Sequence, residues 1–181
     1  MSKNLNFIPR TLNESNIDEA IKMYLDSLNK IPLSISADSI LNFLNRIKRD
    51  KVLSGPYPDV SLFESANRIM TDLTILFGVR ELLGGAIPEL DFREYQVEFG
   101  NENKNPHDIS AESGGRKLIG EAFNVSKSYF HTKKSSALKK LNNHEDKNQI
   151  ILLLYNSDAK DVHVNPKLSE TEFHFPVKTE W

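Results

Sequence analysis

NPHDISAESGGRKLIGEAFNVSKS, Asn105 to Ser128, is the stretch whose reading decides the fold. Two short runs of alternating polar and apolar residues flank a glycine pair, Gly114 and Gly115, that turns the chain. Asp108 belongs to the first run, and Glu121 lies in the second between Ile119 and Phe123. Ordinary strands keep charge at their edges and fill their middles with Val or Ile, so two carboxylates on adjacent strands need a reason. Residues two apart on a strand share a face. Asp108, Ser110 and Glu112 therefore share one face of the first run, and Glu121, Phe123 and Val125 share one face of the second. Joined across the glycine turn, Asp108 and Glu121 come side by side. Carboxylates that close raise each other's pKa. A divalent cation removes the repulsion, and an oxygen-only ligand set suits Mg²⁺ or Mn²⁺.

Working outward, FREYQVEFGN before this hairpin alternates as another strand, with Tyr95, Val97 and Phe99 on one face. After the hairpin, SYFHTKKSSALKKLNN returns to helical spacing through Tyr129 or Phe130, Ala137, Leu138 and Leu141. NQIILLLYN then gives a continuous apolar run of strand length, the pattern of a strand buried on both faces. In the last stretch, DVHV and EFHF read as weak edge strands. The half before residue 90 reads as helical. SNIDEAIKMYLDSLNK opens on a cap-like Ser15 and Asp18 and repeats apolar residues at Ile17, Ile21, Tyr24 or Leu25, and Leu28. A second amphipathic helix carries Ile40, Phe43, Leu44 and Ile47. VSLFESANRIMTDLTILFGVRELLGG follows the GPYP turn, with Ser61 and Glu64 spaced as a capping box and Gly84 and Gly85 as its end. Its apolar density predicts a buried central helix. Short links between the first three strands predict an antiparallel meander, and the helix before the fourth predicts a parallel crossover. The expectation is an α/β fold, a mixed sheet with helices on its faces. One compact domain is expected, with a helical N-terminal part over 1–55 and an α/β core over 56–181.

The 181 residues suffice for one domain with a sizeable core, and 39% hydrophobic with 27% charged residues is ordinary for a globular chain. No apolar run is long enough to span a membrane, and MSKNLNFIPRTLNESN lacks the apolar stretch of a secretory leader. The absence of cysteine excludes disulfides and thiolate zinc sites and fits a cytoplasmic protein. The net charge of −2 does not advertise a nucleic-acid partner. Its distribution does more. Between Asn103 and Lys140 stand eight cations (Lys104, Arg116, Lys117, Lys127, Lys133, Lys134, Lys139 and Lys140) and three anions (Asp108, Glu112 and Glu121), a local excess of +5. A basic face of this kind can hold phosphate, and a solvated Lys-rich helix has the same composition.

The αβββαβ order with acids on the second and third strands resembles the PD-(D/E)XK nuclease superfamily, which includes many type II restriction endonucleases. The resemblance spans roughly Val60 to Asn156. Its Pro-Asp element is similar to Pro106-His107-Asp108, with one residue inserted, and its Asp/Glu-x-Lys element is similar to Glu121-Ala122-Phe123. The resemblance implies a restriction-endonuclease-like core and a Mg²⁺- or Mn²⁺-dependent endonuclease acting on double-stranded DNA, working as a homodimer. It implies Asp108 and Glu121 as metal ligands, with Glu64 in the helical acid position of some members. The family's lysine slot holds Phe123, which cannot stabilise charge, so the catalytic cation has to come from elsewhere in the chain. Lys127 or Lys133, at the start of the following helix, could reach back, and Lys104 precedes the second strand. Without such a lysine the chain is a nucleic-acid- or protein-binding module on the same fold, or a partner subunit whose helical half binds another protein.

Each residue has a plainer reading. Asp108 could cap its strand or pair with Arg116, and Glu121 could form a salt bridge with a lysine. Glu64 suits the capping box. Glu112 suits the surface, or becomes the second-strand ligand in another register, and Glu98 suits the surface, or is a third acid near the site. His107 could assist proton transfer or sit in a loop without a role, and His131, His163 and His174 lack metal-ligand spacing. Tyr129 and Phe130, at helical spacing with Leu138, read as core in preference to base-stacking residues.

Overall fold

A computed structural model of the chain describes residues 5–31, 34–100, 104–142, 149–160 and 165–179. These form a mixed α/β structure whose elements are β1 (Thr11–Asn13), α1 (Ile17–Leu28), α2 (Ile40–Arg49), α3 (Leu62–Leu83), β2 (Glu94–Val97), β3 (Ile109–Ser113), β4 (Arg116–Phe123), α4 (Phe130–Leu141), β5 (Ile150–Asn156) and β6 (Glu172–Val177). The six strands make one sheet in chain order, β1 to β6. The first four are antiparallel neighbours, and β4, β5 and β6 run parallel.

The hairpin at the centre follows from its two glycines. Gly114 and Gly115 have φ of 57° and 80°, a left-handed pair that side chains resist and that matches the twist of a two-residue hairpin. The turn fixes the register from Ser113 opposite Arg116 to Ile109 opposite Gly120. Because strand side chains alternate, β4 then feeds two cores. Leu118 and Ala122, with Leu152 and Leu154 of β5, pack into the larger core with α3. Ile119 and Phe123, with Leu153 and Tyr155, pack into the smaller core with Phe130, Ala137 and Leu141 of α4. Burial on both faces explains the unbroken apolar run of β5.

The N-terminal part over 1–55 is not purely helical. Thr11–Asn13 adds an edge strand to β2, and α1 starts from Asn16, not from a Ser15 cap. Helix α2 forms, yet none of its residues is buried, and Ile40, Leu41 and Leu44 are exposed. Residues of EFHF become β6, at the edge of the sheet as expected and parallel to β5, with Phe173, His174 and Phe175 buried, while DVHV, with His163, lies outside the described residues. Among the described residues no helix is long and apolar enough to cross a membrane.

Candidate active site

The β3–β4 register ends on Ile109 opposite Gly120, so the next pair outward is Asp108 and Glu121. The chain holds Asp108 there by two bonds. Its carbonyl accepts the Glu98 N–H at 2.9 Å, and its carboxylate Oδ2 accepts the Ala122 N–H at 2.9 Å. Burial, reinforced by the negative charge of Glu121, pushes the Asp108 carboxyl up to about 6. Glu121 shares its strand face with Ile119 and Phe123, the face covered by α4. Its carboxylate is met by Lys140 Nζ, 2.6 Å from Oε1 and 2.8 Å from Oε2. The Nδ1 of buried His107 lies 3.2 Å from Oε1.

Asp108, Glu121 and Lys140 line a cavity of about 730 Å³ between the N-terminal half of α3 and one stripe of α4. The stripe is Lys133, Ser136, Ala137 and Lys140, spaced i, i+3, i+4 and i+7, which is a single helix face. From α3, Arg68 and Asp72 reach the same space. Asp72 is fully buried in the middle of the apolar helix. Its Oδ2 accepts the hydroxyls of Tyr24, at 2.7 Å, and Tyr57, and its Oδ1 accepts the Gly100 N–H at 3.2 Å. Burial pushes its carboxyl up to about 7, against the pull of those three donors. Gly100 suits this place because its φ is 54° and a Cβ there would run into the Tyr57 ring. Glu98 is also buried, and its carboxylate accepts the N–H groups of Lys104, at 3.1 Å, and Asn105, at 2.6 Å. Of the two positions open to Glu98, the structure takes the one beside Asp108 and Glu121 and not the surface, with the carboxylate organising the loop before β3.

The cavity therefore gathers four carboxylates (Asp72, Glu98, Asp108 and Glu121) and three cations (Arg68, Lys133 and Lys140). Of the residues singled out in the sequence, Asp108, Glu121 and Lys133 line it together. Lys127 sits in the 3-10 turn before α4 and is not among its lining residues. Glu64 does not line it either. Its N–H completes the Ser61 cap, and its side chain turns one helical turn on to pair with Arg68. Phe123, in the lysine slot, is 1% exposed and packs against Phe130 and Tyr155 with ring centroids 5.9 and 6.1 Å away. Arg116 reaches the Glu89 carbonyl and the Phe92 ring, not Asp108. Glu112 is exposed opposite Lys117. Tyr129 is an exposed cavity residue, where core was expected, because it precedes the first turn of α4 and only Phe130 turns inward.

Two site residues escape sequence reasoning. Lys140 is one of two adjacent lysines near the end of α4, and only the i, i+7 relation to Lys133 hints at a shared face. Asp72 is marked only by being an acid inside the densest apolar stretch of the chain. No family model, no curated protein and no solved structure matches this chain.

Proposed function

We propose that the protein is a Mg²⁺- or Mn²⁺-dependent DNA endonuclease built on a restriction-endonuclease-like core. The observation that carries this reading is Asp108 beside Glu121 in the lining of a cavity, with the Lys140 ammonium 2.6 Å from Glu121. The element order supports it, since α3, β2, β3, β4, α4 and β5 follow the αβββαβ pattern with the last strand parallel.

The donor set fits a hard divalent cation. Among the described residues no three His, Asp or Glu side chains cluster as a closed metal cage, but Mg²⁺ commonly binds through one or two carboxylates while keeping its waters and taking substrate phosphate. Asp108 commits Oδ2 to Ala122 and has its other oxygen for a ligand. Lys140, half exposed on its flexible stem, contacts Glu121 from the solvent side. A cation held by the two carboxylates would bind a phosphate oxygen and lower the pKa of a bound water. The remaining work belongs to the chain. Lys140 supplies the positive charge that Phe123 cannot, next to the carboxylate pair where charge develops on the phosphate. Lys133, one helical face along, orients the backbone by its charge. The Ala122 N–H keeps Asp108 aimed, and His107 fixes the Glu121 carboxylate.

Supercoiled plasmid incubated in Mg²⁺ and in EDTA tests the reading. Cutting that needs Mg²⁺ and disappears in Asp108→Ala, Glu121→Ala and Lys140→Ala supports it. The burial of Phe123 in the lysine slot favours a second reading, a binding-only module. DNA retention without cutting in either Mg²⁺ or Mn²⁺ would select that one.

A further inference from the structure

Large exposed aromatic side chains are few: among the described residues they are Phe7, Phe63 and Tyr129. Two of the three line the one cavity that holds the carboxylates. Phe63 stands in the first turn of α3 and Tyr129 just before α4, so each helical layer contributes one ring. They are 53% and 54% exposed, whereas Phe123, Phe130 and Tyr155 nearby are buried in the core behind them. Cations accompany the rings. Lys48 Nζ of α2 lies 5.6 Å from the Phe63 ring centroid, and Arg68, Lys133 and Lys140 line the same space. Exposed rings interleaved with cations are the chemistry that binds a single strand, in which bases stack on side chains and phosphates meet positive charge. A paired duplex offers no base faces to such rings. The size agrees, since about 730 Å³ lies within the range of small-molecule sites, room for a short unpaired segment but not for a helix.

We propose that the cavity takes unpaired nucleotides, with Phe63 and Tyr129 stacking bases on either side of the phosphate presented to Asp108 and Glu121. This builds on the endonuclease reading and narrows its substrate from duplex DNA to single-stranded segments, loops or frayed ends. The shared chemistry, exposed bases on a phosphodiester chain, occurs in DNA and RNA alike. Four carboxylates in the cavity also require that the polyanion enter together with divalent cations.

Fluorescence anisotropy with a short labelled oligothymidine, the matching oligouridine, and the oligothymidine paired to its complement tests this in Ca²⁺ and in EDTA. The expected result is single-strand binding in Ca²⁺ about tenfold tighter than duplex binding. Phe63→Ala and Tyr129→Ala each lower it by about tenfold, while Tyr129→Phe, which keeps the ring, binds like the parent. Comparison of the thymidine and uridine arms separates DNA from RNA as the source of the strand. Circular dichroism melting checks that the alanine variants fold, as expected for exposed positions. Duplex binding equal to single-strand binding, or single-strand binding indifferent to both ring deletions, overturns the proposal even if plasmid is cut. Ring-dependent single-strand binding without hydrolysis in Mg²⁺ or Mn²⁺ upholds it and removes the endonuclease reading instead.

Discussion

The Lys140 ammonium contacts both carboxylate oxygens of Glu121, at 2.6 and 2.8 Å, from a position on α4 seventeen residues beyond Phe123. The cation and the acid thus meet through the packing of α4 on β4 and not through strand spacing. If this pair serves phosphate chemistry, Lys140→Ala lowers the rate of plasmid cutting by about a hundredfold or more. Its effect on stability is about 1–3 kcal/mol, because the ammonium is half exposed but its loss leaves the buried Glu121 carboxylate with only His107 to meet it among the described residues. Initial cutting rates and urea unfolding separate the two effects.

A lysine placed two residues after Glu121 should not replace Lys140. Phe123 is enclosed by Phe130 and Tyr155 on the α4 side of the sheet. Phe123→Lys would remove a packed ring and bury an ammonium among aromatics, a loss of about 3 kcal/mol or more. Urea unfolding of Phe123→Lys should show that loss, and the double variant with Lys140→Ala should remain inactive in the plasmid assay.

Asp72 joins α1, α3 and the loop after β2 through Tyr24, Tyr57 and Gly100. Asp72→Ala strands two buried hydroxyls and an N–H, and its cost should be about 3 kcal/mol in urea unfolding. An unchanged midpoint would mean that the network contributes nothing to the fold.

The raised carboxyls set a pH dependence. Asp72 moves from 3.8 to about 7, and Asp108 from 3.8 to about 6. A folded pKa above the unfolded one means that the folded chain holds protons the unfolded chain has released. The stability from these groups is complete below the unfolded value and lost as pH rises through the folded values. Asp108→Asn, which cannot ionise and no longer repels Glu121, should therefore flatten the decline between about pH 4 and 6 and melt higher than the parent at neutral pH. Thermal melts across that range check the sign.

Much of this was legible in the chain itself. The Gly114-Gly115 turn and the alternation on either side of it specify the hairpin, and the apolar runs of α3 and β5 announce elements buried on several sides. Those signals are local. Thr11–Asn13 carries no periodic signal, because three residues become a strand only by pairing with β2. The α2 stripe at Ile40, Leu41 and Leu44 has helical spacing without burial, since spacing reports which residues share a face and not what covers it. Glu98 looks like an outward strand residue until the loop after β2 folds its N–H groups onto the carboxylate. Asp72 and Lys140 join the site through contacts between elements far apart in sequence, which no window on the chain contains.

Mn²⁺ should bind where the two carboxylates converge. At a hundredfold excess over its Kd it should raise the melting temperature of the parent protein by about 5–10 °C, and leave Asp108→Asn and Glu121→Gln unshifted. Acidification should weaken the effect, because protons and the cation compete for the raised Asp108 carboxylate.

The most direct test of the account is an anomalous diffraction map from crystals soaked in Mn²⁺. The account predicts one peak within coordination distance of both Asp108 and Glu121, with Lys140 drawn off the Glu121 carboxylate. A map with no peak there, and Glu121 still closed onto Lys140 and His107, would contradict it.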